Sequence, residues 1–205
     1  TMSRSPMTAA LVNGMASHAL ELDDGSKHAT YHPGASIIPA ALALGQAKRI
    51  SGRKLIEAVV AGYEISLRIG TAINPGHYLR GFHPTGTIAT FGTTAAAAKI
   101  LGLDAETTAN AFGLAGSLAS GINQYEIDGS ISKHLHPGNA ARNGILAAML
   151  AKEGMTGPEE ILEGRLGFFH CFAPDGAVPA VVTDGLGQDW NFLRIYFKPW
   201  CSCRY

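Results

Sequence analysis

The stretch TGTIATFGTTAAAAKIL, residues 85–101, limits the fold of this chain more than any other feature. Its alanines favour helix, and most of its side chains are no larger than threonine. A helix with so little bulk gains little from burial unless neighbouring backbones come very close. That calls for a tightly packed helical assembly. Other segments agree. Small and apolar residues at helical spacing predict helices over Met7–Leu22, Ala35–Arg49 and Arg53–Ile73. Ser51 is placed to cap the last of these, and Leu55, Val59, Tyr63 and Ile65 share its buried side. Asn74-Pro75-Gly76 breaks the pattern, Asp104 caps a helix over Ala105–Ser120, and Gly138–Glu153 makes another. Thr156-x-x-Glu159 reads as a capping box that opens a short helix. AFGLAGSLASG, residues 111–121, reads as packing surface rather than a phosphate loop, since its spacing fits no Walker motif and no strand precedes it. Only Phe192–Lys198, FLRIYFK, has the texture of a strand or extended linker. The expectation is an all-α helical bundle domain over residues 1–190, incomplete at both ends. Residues 191–205 would begin a crossing to something else.

Charge narrows the function. Lys and Arg number 16, as do Asp and Glu, so the formal net charge is zero. Nothing in that balance favours nucleic acid or an anionic membrane, although one pocket can still be basic. The three cysteines, Cys171, Cys201 and Cys203, are too few and too odd in number for a disulfide framework. A reducing, cytoplasmic setting follows as the expectation. No apolar run is long enough for a membrane span, and the N-terminus has no long apolar core of the signal-peptide kind.

The chemistry gathers around histidines. Three of the eight stand directly before proline: His32-Pro33, His83-Pro84 and His136-Pro137. Proline suits a first helical turn and pushes its predecessor out of the α region, so each histidine is expected at a helix mouth. Helix mouths favour anions. Three of them around one cavity, with Lys133, His134 and Arg80 close in sequence, would suit a polycarboxylate. Glu21, Asp23 and Asp24 supply carboxylates. Such a pocket can move a proton at a carbon next to a carboxylate, with cations stabilising the developing charge. His28-x-x-x-His32 with Asp23 and Asp24 contains metal-ligand types, but Gly25 and Pro33 bracket that segment as a loop, and no metal is expected.

NGMASHALELDDGSKHATYHPGA, AGYEISLRIG, GFHPTGTIATFGTTAAAAKILGL and KHLHPGNAARNGILAAMLAKEGMTGPEEILEG followed by RLGFF, in that order, resemble the MmgE/PrpD family over nearly the whole chain. That family includes 2-methylcitrate dehydratases, cis-aconitate decarboxylases and iminodisuccinate epimerases. The resemblance implies a large helical domain, a smaller α/β lid with the active site between them, no metal or organic cofactor, and a homodimer. Family chains are longer, so the resemblance also implies that this one lacks its first helices, most of the lid and the C-terminal helices. Glu21 stands where the decarboxylases carry Asp, and Cys203 where they carry a further histidine.

The roles expected are these. His32 or His83 acts as acid or base, and Asp24 orients or tunes a histidine. Lys133 binds a carboxylate and stabilises charge at the reacting centre. His136, Lys198, Asp23 and Arg80 hold substrate. A 2-methylcitrate dehydratase-like lyase is the first expectation, with epimerisation or decarboxylation of a related acid as the alternative. A reading from another class makes the chain a non-catalytic dimerisation module whose His-Pro pairs merely end helices.

Overall fold

A computed structural model describes residues 5–202 of the chain. Helix α1 runs Pro6–His18, α2 Gly34–Lys48, α3 Gly52–Ile73 and α4 Gly76–Leu79. Then come α5 Pro84–Leu101, α6 Ala105–Leu118, α7 Gln124–Asp128, α8 Leu135–Lys152 and α9 Phe168–Phe172. Short 3-10 turns lie at Ile131–His134, Pro179–Val182 and Asn191–Arg194. A two-residue strand β1, Asp24–Gly25, pairs antiparallel with β2, Tyr196–Phe197. Among the described residues the fold is all-α, as the small-residue pattern implies, and no helix is long and apolar enough to cross a membrane.

Helix α5 is the axis. Every residue from 84 to 98 is buried, and α2, α3, α6 and α8 pack around it. Small side chains are needed because the backbones almost touch. A Cβ on Gly62 of α3 would lie 2.7 Å from the Gly92 carbonyl oxygen of α5 and 2.8 Å from Ile37. The buried threonines of α5 satisfy their hydroxyls locally: Thr90 donates to the Gly86 carbonyl at 2.9 Å and Thr94 to that of Thr90 at 2.8 Å. Thr93 crosses to the Ala140 carbonyl of α8 at 2.8 Å, a polar stitch inside an apolar interface.

The expected caps form. Ser51 Oγ accepts from Lys54 N–H at 3.3 Å, and Asp104 Oδ1 from Thr107 N–H at 2.8 Å. Three expectations change. Helix α1 stops at His18, four residues early, because Glu21 takes a left-handed conformation with φ 52°. Helix α8 starts at Leu135, so His136 lies inside the first turn rather than outside it; Pro137 is tolerated there because its missing N–H would have had no helical partner. Residues 156–164 make turns, not a helix. The Gly157 N–H is taken by the Asn110 side chain at 3.0 Å, which lays this segment flat on α6.

The end of the described chain is anchored by Arg68, buried on α3. It donates to Glu64 at 2.6 Å and to the carbonyls of Asp184 and Asp189 at 2.7 and 2.6 Å. The extended segment is thereby held to α3. It returns as β2 beside β1, with Asp24 opposite Phe197.

Candidate active site

Strand geometry decides what the acidic loop does. Successive side chains along extended backbone point to opposite faces. Asp23 and Asp24 therefore part company. The Asp24 carboxylate turns toward α2 and α3, accepting from Gly34 N–H at 2.9 Å and from the Tyr63 hydroxyl at 2.8 Å. It plugs the mouth of α2, so that mouth is closed to any other anion. Burial pushes its pKa up to about 6, against the hydrogen bonds from Tyr63 and Gly34.

Asp23 turns the other way. Its Oδ2 accepts from His18 Nδ1 at 2.7 Å and lies 3.7 Å from His32 Nδ1. Its Oδ1 accepts from Lys198 Nζ at 2.9 Å. Burial alone would raise this carboxyl, but His18, His32 and Lys198 hold it well below the usual carboxylate range. The carboxylate that meets the histidines is thus Asp23, not Asp24; Asp24 touches His32 only through its backbone carbonyl, 2.6 Å from Nδ1. Pairing β1 with β2 is what brings Lys198 here.

Glu21 joins both lysines. It accepts from Lys133 Nζ through Oε1 and from Lys198 Nζ through Oε2 at 3.1 Å. Burial acts to raise its pKa, but Lys133, His18 and Lys198 bring it below its ordinary value. Burial likewise acts to lower Lys198, and Asp23 and Glu21 outweigh it, so Lys198 ends above its ordinary value. Lys198 is a buried strut between two carboxylates, with its side chain 2% exposed, and it does not line the cleft. Ligand-type atoms of His18, Glu21 and Asp23 lie within 4.8 Å of one another, as a metal site would need. The Lys198 ammonium already sits on both of their carboxylates, so the donor set is occupied by a protein cation.

The imidazoles stack behind this acidic knot. His18 is fully buried; its ring lies 5.4 Å from that of His32, 6.0 Å from His83 and 6.3 Å from His134. Its Nε2 has no hydrogen-bond partner. His32 leads into α2, and burial pulls it down to about 4 despite Asp23. His83 is the N-cap residue of α5, in extended conformation before Pro84. Burial holds it well below its ordinary value, and His136, His18 and Lys133 add to the effect. The rings of His83 and His136 meet Nδ1 to Nδ1 at 2.8 Å.

One cleft opens on this cluster at the N-terminus of α5. His32, Tyr78, His83, Thr85, Tyr125 and Lys133 are among its walls, and the free space between them, about 10 Å³, is that of roughly one water molecule. Lys133 is half-buried, with its ammonium 5.9 Å from the centre of the Tyr125 ring. The cleft therefore offers a cation, a helix mouth and two imidazoles disfavoured as cations. Those are the parts needed to bind a carboxylate and move a proton beside it.

The structure brings His32, His83 and Lys133 to the cleft and places His136 directly behind His83. Asp23 and Lys198 lie in the buried knot. Arg80 is not brought there: it ends α4, is exposed, and borders a separate surface groove with Leu79 and Ile122. Its nearness to His83 in sequence misleads because the chain turns at Gly81, φ 87°. His28, from the metal alternative, is exposed on a turn rather than paired with His32 on a helix. Cys203 lies outside the described residues. Sequence reasoning missed His18, Tyr63 and Tyr125. For His18 a signal existed, since it ends a helix five residues before Asp23. For the two tyrosines there was none.

The helical domain thus buries several imidazoles at helix ends against an acidic, lysine-bridged loop. The chain is a member of the MmgE/PrpD family: the MmgE/PrpD N-terminal domain matches residues 2–179. It is 33% identical to the cis-aconitate decarboxylase of Aspergillus terreus over 97% of this chain and 43% of that protein. It is 35% identical to the human cis-aconitate decarboxylase over 82% of this chain and 35% of that one. To the cis-aconitate decarboxylase-like protein oryM of Aspergillus oryzae it is 30% identical over 94% and 43%. The chain thus spans less than half the length of the curated relatives it matches.

Proposed function

We propose that this site belongs to a lyase of a small di- or tricarboxylate that works by proton transfer at a carbon α to a carboxylate. The observation that carries the reading is the cleft itself, where Lys133, the N-terminus of α5 and two buried imidazoles face one space. Lys133 takes a substrate carboxylate in place of Glu21. His83 and His32, disfavoured as cations, exchange the proton. The decarboxylase relatives favour loss of CO₂ from an acid like cis-aconitate: the C–C bond to one carboxylate breaks, its electrons stay on the α-carbon, and an imidazole N–H fills that carbon. Dehydration of an acid like 2-methylcitrate is the second reading. Cys203 favours it, since in the family resemblance it stands where the decarboxylases carry a further histidine. There the base takes the α-proton and a second group protonates the departing hydroxyl. The same reading carries a cytoplasmic homodimer formed through the helical domain, cofactor-independent chemistry, and a crossing into a second domain from residues 191–205.

Proton NMR in D₂O distinguishes the reactions. The chain and a full-length form are incubated with cis-aconitate, 2-methylcitrate, citrate and iminodisuccinate. Loss of a carboxyl with deuterium entering the α-carbon supports decarboxylation, an alkene from a hydroxy acid supports dehydration, and exchange alone supports epimerisation. A folded full-length protein that leaves all four acids unchanged overturns the proposal.

A further inference from the structure

His83 and His136 come from different elements, the cap of α5 and the first turn of α8, and yet share the 2.8 Å contact between their Nδ1 atoms. Nitrogens that close hold one proton between them, so one ring donates and the other accepts. The consequence for two neutral rings is fixed by chemistry. The ring that donates through Nδ1 has a bare Nε2, and the ring that accepts at Nδ1 carries its own proton on Nε2. The pair thus presents one basic and one acidic nitrogen at its outer ends.

The surroundings give those ends different addresses. His83 is 5% exposed and lines the cleft, with its Nδ1 edge taken by His136. His136 is half-buried, nearer to solvent. The groups around His83 are His18 from α1, His32 from the loop before α2, Lys133 from the 3-10 turn, and His136 with its half-exposed ring from α8. The Tyr125 ring of α7 lies edge-on at 5.2 Å, and Glu126 stands exposed at the rim of the cleft. The groups packed on the ring supply no anion to stabilise a charged His83. Gly121 builds the contact from the third side: its carbonyl accepts the His83 N–H at 3.0 Å, and a Cβ there would press within 3.3 Å of His136 Nδ1.

We infer that His83 and His136 form a proton relay, with His136 as the exit rather than a ligand for a substrate carboxylate. This rests on the proposed acid–base chemistry. In abstraction, His83 Nε2 gains the substrate proton, His83 Nδ1 gives its proton to His136 Nδ1, and His136 Nε2 gives its proton to water. One proton enters, one leaves, and neither ring ends charged. Delivery to the substrate runs the same path backward, and a passage in the opposite direction restores the starting tautomers.

Two measurements test it. In the unsubstituted chain labelled with ¹⁵N-histidine, the relay requires opposite tautomers for the two rings and a scalar coupling across the N–H···N bond. Two Nε2–H tautomers without coupling overturn it, with no need for turnover or for a variant that folds. In the full-length protein, with whichever acid it converts, His136→Gln is expected to lower kcat about 10²-fold with KM unchanged, and added imidazole to restore part of the rate. A raised KM with kcat intact makes His136 a ligand and overturns the relay while the lyase reading stands. Absence of turnover in the unsubstituted protein counts against the lyase reading instead.

Discussion

The interface of α3, α5 and α8 and the knot around Asp23 are both buried, yet they are held together in opposite ways. The interface works by subtraction. Gly62, Gly92 and the alanines of α5 let backbones meet, and the hydroxyls of Thr90, Thr93 and Thr94 are satisfied within reach of their own turn or the next helix. The knot works by addition. Two lysines, two carboxylates and the imidazoles of His18 and His32, from distant parts of the chain, balance one another. Close packing of small residues tolerates almost no change in volume. A charge network tolerates volume but not the loss of a partner. Stability is therefore concentrated in the first region, and charge in the second.

The largest effect should come from adding bulk to the interface. Gly62→Val forces a side chain onto the Gly92 carbonyl and Ile37, and is expected to cost about 3–4 kcal/mol in urea denaturation. A loss under about 1 kcal/mol would mean that the helices are not in such close contact. In the knot, Asp23→Asn leaves His18 without its anionic partner and takes away one of the two that hold Lys198. Glu21 still holds Lys198, so the expected cost is about 2 kcal/mol at neutral pH. The wild-type carboxyl titrates below its ordinary value, so its contribution is full at neutral pH and fades as acid protonates it. The variant's deficit should accordingly shrink in strong acid.

His77 sharpens the contrast, because it is a titratable group inside apolar packing. It lies between Phe82, Phe168 and Phe172, with Nδ1 unpartnered, and burial pulls it from 6.5 to about 3. The unfolded chain binds that proton more readily, so stability falls as pH drops from 6.5 toward 3. His77→Phe removes this penalty, and stability lost between pH 7 and about pH 5 should shrink by on the order of 2 kcal/mol. An unchanged pH dependence would mean that His77 is not the buried neutral ring described here. Thr87, its hydroxyl partner, retains the His83 carbonyl.

The two regions also differ in how much of them the sequence revealed. Helices α2, α3, α5 and α6 follow from local periodicity, and Ser51 and Asp104 announce their ends because capping is a matter of three residues. The residues at and behind the cleft were legible too: His32, His83 and His136 through proline, and Lys133 through its nearness to His136. Their partners were not. Whether Asp23 or Asp24 meets the histidines depends on the phase of a two-residue strand, and a shift of one residue would exchange them. That phase is set by pairing with Tyr196–Phe197, a contact that no local pattern announces. Arg80 failed for the related reason that nearness in sequence says little about direction once a loop turns. The Thr156 capping box failed because a side chain on α6 claimed the backbone that would have turned.

Lys133 belongs to the knot and also lines the cleft. Its ion pair with Glu21 is partly exposed, so Lys133→Ala should cost about 1 kcal/mol or less. The decisive measurement is calorimetric titration of citrate into the unsubstituted chain and Lys133→Ala in parallel, with the melting temperature of each. The account predicts melting temperatures within about 4 °C of each other and binding weakened at least about tenfold. A variant that melts as early as Gly62→Val but binds citrate as before would contradict it, and would leave the cluster as part of the scaffold.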